Sequence, residues 1–564
     1  MRSLSILCLL LTSSTFPLRC AQSPTTSPTP NKETATVAGN VVRRDTGEAL
    51  KKARVGLRAR SSNGVSLFCL TDEQGHFLIE DIPPDSYAVM VSRNGYVDAQ
   101  YGQKTVSGPG AILTLTAGQR MTDLVFKLAR TAVISGHVFD EDGEPVPQAE
   151  VMTYRASKKP GNEERNFDQV TTNDLGEFRI FDLSPGRYYI ATNYRHEGPH
   201  RMSIAPKSKP EPGYLPSYYP NTTDTSKAEA ISVGPGDEIR GVDFFLRPSH
   251  MVTVSGRIIS AQAVAPSAWG TISLRPRGSG LAQALHGIND NFQMKDGNFV
   301  IPNVPPGSYV LAANWLDRET REMHTARRQL DVGNSDLEGV TLMISRGADI
   351  PGRVIFEGAP AIDFDDLFIT LEAAGDEEFG VPGQSAKQDG TFRFKNIPEG
   401  TYRAAVFARG MRDKFFLKSA RYGTTAVGDA GFAVQPGAEL SLELTLSSRA
   451  PQLAGVVLNA DSLPAVGASV VLVPDPPHRD ARHRYDTAVT DQNGKFTMTG
   501  ITPGDYKLFS WETAEDSDSG ADWLDPDWLR PYEPKGESIH LEEGDKKSVN
   551  LTLIETRSES PAAN

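Results

Sequence analysis

Thr71-Asp72-Glu73-Gln74-Gly75-His76-Phe77-Leu78-Ile79-Glu80-Asp81-Ile82-Pro83-Pro84-Asp85-Ser86-Tyr87 is the stretch that decides the fold. Asp72 and Gly75 bracket a tight turn, with glycine supplying the positive φ that a side chain resists. Phe77-x-Ile79 alternates as a half-buried strand does, Pro84-Asp85 turns the chain again, and Tyr87 opens the returning strand. The stretch is a β-hairpin.

The same hairpin is written four more times. It returns as T-N-D-L-G-E-F-R-I-F-D-L-S-P-G-R-Y ending at Tyr188, and as D-G-N-F-V-I-P-N-V-P-P-G-S-Y ending at Tyr309. Two further copies, D-G-T-F-R-F-K-N-I-P-E-G-T-Y and D-Q-N-G-K-F-T-M-T-G-I-T-P-G-D-Y, end at Tyr402 and Tyr506. In each copy the first glycine (Gly75, Gly176, Gly297, Gly390, Gly494) precedes the tyrosine by twelve positions and a phenylalanine (Phe77, Phe178, Phe299, Phe392, Phe496) by two. A fixed internal spacing at long period marks a repeat architecture.

Working outward, a short apolar segment with a central glycine stands 36 to 41 residues before each hairpin glycine: Val37–Val41, Ile134–Val138, Val254–Ile258, Ile350–Val354 and Leu453–Val457. These read as opening strands. Ala53–Leu57 and Ala468–Leu472 read as second strands, and Leu124–Leu128 and Val549–Leu553 as alternating closing strands. About seven short strands per hundred residues with no amphipathic helix indicate β-sandwiches. The expected fold is all-β: a tandem array of five seven-stranded Greek-key sandwiches over 35–129, 130–248, 249–347, 348–448 and 449–556. Pro351 within an opening strand implies that this strand lies at a sheet edge. Closing strands run almost directly into opening ones, which predicts a semi-rigid string of about 170 Å if the beads stand in line.

Length and composition agree. A chain of 564 residues exceeds one core, and 50 Gly with 39 Pro suit a turn-rich fold. The net charge of −13 opposes nucleic-acid binding, which needs a basic surface. Three cysteines form no disulfide framework and no zinc spacing. Arg2, the apolar run Leu4–Leu11 and a small residue near Ala21 read as a signal peptide over 1–21, whose removal takes the charge to −15. Residues 22–34, rich in Ser, Thr and Pro, read as a tether, and 557–564 as a disordered tail. No later run reaches 18 apolar residues, so the mature chain is expected not to span a membrane and to reside outside the cytoplasm, secreted, periplasmic or on the cell surface.

The pattern Ile-Ser-Gly-x-Val, Asp-x-x-Gly-x-Phe, Pro-Gly-x-Tyr resembles the carboxypeptidase regulatory-like domain, a transthyretin-like sandwich, in five copies over nearly the whole mature chain. The resemblance implies a non-catalytic module, found beside zinc carboxypeptidases, before outer-membrane receptors or alone in secreted bacterial proteins. It also implies a possible carbohydrate-binding role, which is analogy at the level of fold. Five sandwiches use up the length, leaving no peptidase domain.

Catalytic motifs fail on local grounds. His196-Glu197-Gly198-Pro199-His200 has zincin spacing, but that motif needs both histidines on one helical face, and Gly198-Pro199 opposes a helix, which leaves a zinc-dependent peptidase on His196 and His200 as the remote alternative. Asp516–Asp522 alternates carboxylates but places glycine at the fifth rather than the sixth position of a calcium loop and lacks a glutamate at the twelfth. No cofactor or metal is expected, and the chain is read as no enzyme. The repeated tyrosine is expected at a sandwich corner with its hydroxyl on backbone. Candidate ligand-stacking rings stand in the connection after it: Tyr96 and Tyr101 in the first copy, Tyr214, Tyr218 and Tyr219 in the second, Trp523, Trp528 and Tyr532 in the fifth. Their partner would be a polysaccharide; the rival is a structural spacer or adhesin that engages a cell-envelope protein through edge strands.

Overall fold

Each opening strand alternates inward and half-exposed residues, as a sheet with one buried face requires. In the computed structural model, which describes residues 34–555 apart from 62–63, 107, 157–167, 195–212, 261–268, 278–287, 294–296, 317–322, 345–346, 359–361, 374–382, 409–414, 436, 477 and 513–521, these segments are the strands Ala35–Arg43, Ala132–Phe139, Val252–Ser260, Ala348–Glu357 and Gln452–Leu458. The segments read as signal peptide and tail, nearly all of the segment read as a tether, the His196–His200 motif and Asp516–Ala521 lie outside the described residues.

Buried side chains gather into five main clusters, one around each copy of the signature and each closed between two sheets. We refer to these as units one to five. Among the described residues of units three and five, a three-stranded sheet faces a four-stranded one, the seven strands expected; the other units add short pieces. The fold is all-β, with little helix beyond short turns such as Pro526–Leu529.

In every unit the opening strand lies between the hairpin strand, antiparallel, and a late strand of the same unit, parallel. The register is the same five times: Gly39 opposes Phe77, Gly136 Phe178, Gly256 Phe299, Gly352 Phe392 and Gly455 Phe496. The glycine is obligatory because the parallel neighbour comes too close for a side chain. A Cβ on Gly39, Gly136 or Gly256 would stand 2.0, 2.0 or 1.9 Å from the carbonyl oxygen of Leu124, Val242 or Val340. All five phenylalanines are buried, and each contributes about 1.5–3 kcal/mol of transfer free energy.

The hairpin glycine carries positive φ in all five copies, from 62° at Gly297 to 77° at Gly75 and Gly390. Its carbonyl accepts from the opening strand, Val41 N–H on Gly75 at 2.9 Å and Ile258 N–H on Gly297 at 2.7 Å, so the turn is tied to the strand it covers. The tyrosine takes the corner position. Tyr87, Tyr188, Tyr309, Tyr402 and Tyr506 donate to the carbonyls of Pro83, Ser184, Pro305, Pro398 and Thr502 at 2.7, 2.7, 2.8, 3.0 and 2.6 Å.

Two expectations are corrected. The strand containing Pro351 is internal, between Thr391–Ile397 and Leu442–Ser447. Its parallel ladder begins only at Gly352, so the missing N–H of Pro351 falls outside that ladder, beside an irregularity in the other one. Nor do the units stand in line: the first and fifth touch, Gln492 bonding the backbone of Thr114.

Candidate functional site

The long connection after each tyrosine carries the rings singled out above, and its neighbours decide what those rings can do. In unit one, Gly95 and Val97 bond the segment leading to unit two: Val97 N–H donates to Ala129 O at 2.8 Å and Thr131 N–H to Gly95 O at 3.1 Å. Tyr96, between them, bridges Arg130, and its ring lies 5.1 Å from the Arg93 guanidinium. Tyr101 is half-buried on the side that meets unit five; burial pushes its phenol up, with the Asp491 carboxylate adding to the shift.

Unit two repeats the device. The strand Gly213–Tyr214 pairs with Pro248–Ser249, the segment leading to unit three. The Tyr214 hydroxyl donates to Glu141 Oε2 at 2.7 Å, and its ring lies 6.0 Å from that of Tyr194. Burial and that carboxylate push the phenol well above its usual range. Tyr218 is only 2% exposed, packed with Met152, Tyr154 and Ala191, so no ligand can stack on it as it stands. Tyr219 is half-buried against the unit-two core.

In unit five the rings fold back over the outer face of the larger sheet. Trp528 meets Trp511 edge-on at 5.2 Å and Tyr532 at 4.9 Å, while Trp523 lies 5.6 Å from Tyr485. All three rings remain half-buried. The eight candidate residues therefore form no shared platform. Those of units one and two stand mainly at boundaries between units, and those of unit five cap a sheet.

Polar clusters stiffen the later boundaries. Between units three and four, Asn396 Oδ1 accepts from Gly347 N–H at 2.6 Å, and its amide nitrogen lies 3.1 Å from His324 Nδ1. The His324 ring stacks on Trp315 at 4.2 Å. Between units four and five, Asp429 faces His478 at 2.7 Å, His483 at 3.2 Å and Arg484 at 3.2 Å. Burial pushes the Asp429 carboxyl up, but hydrogen bonds from His478 and Arg484 outweigh it and leave the group below the ordinary range. Nearby, Glu543 accepts from Ser447 and pairs with Lys418 at 2.9 Å and Arg449 at 3.3 Å, and the Lys418 ammonium also bonds Glu357. Hydrogen bonds from Ser447 and Lys418 hold the Glu543 carboxyl at about 2.

Sequence reasoning missed Asp429, Glu543 and Gln492, because a polar residue in a turn reads as solvated whether or not a neighbour meets it. It also missed a legible signal: the sixth residue after each hairpin glycine is Asp81, Asp182, Asn303, Asn396 or Gly500, and all five have φ between 55° and 74°. Asp, Asn and Gly are the residues that tolerate this conformation, and in four units the position coincides with a register irregularity in the ladder. Among the described residues no group of His, Cys, Asp or Glu is arranged to hold a metal ion.

The family model for the carboxypeptidase regulatory-like domain matches residues 36–129 and 133–205. The human BOS complex subunits NOMO3 and NOMO1 are each 24% identical over 274 residues, 45% of this chain and 20% of theirs. The match thus spans about a fifth of the length of those relatives. Among solved structures, the Bacillus anthracis TIE protein aligns at 10% identity over 75% of this chain and 74% of its own, with a TM-score of 0.15. A streptococcal ancillary pilin aligns at 11% over 55% of this chain and 99% of its own, with a TM-score of 0.18. Scores so low carry no argument about arrangement. Over residues 36–129 and 133–205 the chain is similar to two tandem carboxypeptidase regulatory-like domains, and the first two copies of the recurrent Gly, Phe and Tyr positions fall within those two matches.

Proposed function

We propose that the chain is a non-catalytic extracytoplasmic scaffold of five β-sandwich domains, 35–129, 130–248, 249–347, 348–448 and 449–556, held at set angles by packed joints. The observation that carries this reading is that backbone flanking Tyr96 and Tyr214 pairs with the segments leading to the next unit. A ligand-binding loop would present its rings; these loops brace the chain. Residues 1–21 act as the signal peptide, and the secreted, periplasmic or cell-surface location follows from that. No helix among the described residues is long and apolar enough to cross a membrane.

Hydrogen exchange on the full chain tests the scaffold. Amides at Val97, Thr131 and Gly347 should exchange as slowly as those of the sheets beside them. Exchange at the rate of an unprotected chain would mean loose joints and would end this reading. Polysaccharide remains the first ligand class to assay, because Trp528 and Tyr532 keep half-exposed faces that could stack on a sugar ring. Glycan-array binding that disappears in Trp528→Ala with Tyr532→Ala supports it; an array with no hits removes it.

A second reading, a protein partner added at a sheet edge, has a specific observation in its favour. Among the described edge strands of five residues or more, only Ser66–Leu70 and Asn298–Val304 lack a charged residue, and the latter contains Pro302. Phe68 and Leu70 are each 61% exposed on that first strand. Edges are ordinarily blunted with charge, proline or short length, so this one suits an extended apolar segment. Phe68→Lys should abolish such binding without lowering the melting temperature.

A further inference from the structure

The strand Ile112–Leu115 of unit one pairs with Asp85–Ser92 on one side only. Its sequence, Ile-Leu-Thr-Leu, has none of the charges that protect an open edge. The other side meets a residue far along the chain. Gln492 Oε1 accepts from Thr114 N–H at 3.2 Å, and Gln492 Nε2 donates to Thr114 O at 2.8 Å. The side-chain amide thus copies the donor–acceptor pair that another strand would offer.

Three further contacts surround this pair. Gly467 approaches Gly102 so closely that a Cβ on Gly467 would stand 2.0 Å from Gly102 O. A Cβ on Gly102 would lie 3.4 Å from Val466 Cγ1, so Gly102 faces the Val466 side chain as well as the Gly467 backbone. Lys104 Nζ faces Glu512 Oε1 at 3.9 Å, with opposite charges on opposite units.

The geometry points to a closed array: the Asp491–Gly494 turn and the Gly467 loop of unit five are the partner surface for the Tyr101–Leu115 region of unit one. The two ends of the scaffold bind each other, and the turn of one repeat serves as the edge cap of another. The inference goes beyond stiff joints, since stiff joints alone would equally support an open arc. Tethering makes a small contact sufficient. An effective concentration on the order of 1 mM closes the array about ten to one even for a contact whose bimolecular Kd would be about 0.1 mM.

The test is carbodiimide cross-linking of the dilute full-length mature chain, with products mapped by mass spectrometry, alongside small-angle scattering. A Lys104–Glu512 link should form within the monomer, and the maximum dimension should fall well short of the about 170 Å of five beads in line. Gln492→Ala, a change at a hairpin turn that leaves the unit-five core intact, should lower the yield of that link several-fold and lengthen the particle. Gly467→Ala is a poorer probe, because at φ +71° it strains unit five itself. No Lys104–Glu512 link, a link found only in dimers with yield rising with concentration, or a yield unchanged in Gln492→Ala would each overturn closure. Slow exchange at the joints would stand in any of these cases.

Discussion

Gly455 and Phe496 stand opposite one another in adjacent antiparallel strands, and a Cβ on Gly455 would lie 1.8 Å from the Val549 carbonyl oxygen and 2.7 Å from Phe496 Cε1. The ring lies over the place where the glycine has no side chain, and the parallel closing strand fills the other side. One residue therefore sets the spacing of three strands.

Gly455→Ala should force those strands apart. Overpacking of this kind costs about 3 kcal/mol, and the denaturation midpoint of unit five should fall with it. Gly143→Ala makes a control, because a Cβ there meets nothing within 4 Å and only the positive φ of 80° is penalised. A smaller loss at Gly455 than at Gly143 would refute the close-approach argument.

Tyr506→Phe removes a hydroxyl that donates to Thr502 O at 2.6 Å. The expected loss is about 1 kcal/mol, read from urea unfolding, and Tyr87→Phe should cost a similar amount in unit one. Burial, assisted by the Asp486 and Asp429 carboxylates against an opposing Arg484, pushes the Tyr506 phenol up to about 12. A raised phenol favours the neutral form in the fold. Its contribution is therefore complete below about pH 10, the unfolded value, and is lost as the pH climbs toward 12. Tyr506→Phe should flatten that alkaline limb.

Thr172→Val should cost about 1–3 kcal/mol by leaving buried backbone groups unpaired. The Thr172 hydroxyl donates to Val146 O at 2.7 Å and accepts from Ala149 N–H at 2.8 Å, locking the turn before the second strand. Thr71 and Thr490 make the same pair of bonds in units one and five. Thr172→Ser, which keeps the hydroxyl, should recover most of the loss.

Acid should loosen the boundary between units four and five. The Glu543 carboxyl sits at about 2, held down by Ser447 and Lys418. A depressed carboxylate stabilises fully above its unfolded value, near 4.3, and that contribution fades as the pH falls toward 2. Hydrogen exchange around Ser447 and Lys418 should accelerate across this window in the native chain. In Glu543→Gln the acceleration in that window should be absent.

The hairpin, the sandwich and the corner tyrosine were legible in the amino-acid order because each depends on neighbours within a dozen residues. Gly75 must turn, Phe77 must alternate inward, and Tyr87 must reach a carbonyl four residues back; such constraints appear as spacing. The role of Asp81 and its counterparts was equally local and could have been found from the recurrence of Asp, Asn and Gly at one offset. The destination of the aromatic loops was not legible. Tyr96 and Trp528 have the composition of exposed platforms, and only the tertiary packing sets Tyr96 against Arg130 and half-covers Trp528 with Trp511. Least legible was the meeting of Gln492 with Thr114 across 378 positions. A glutamine in a turn satisfies the same local rules in water as against another unit, so its partner depended on the angles summed over every intervening joint, and only the tertiary structure could decide it.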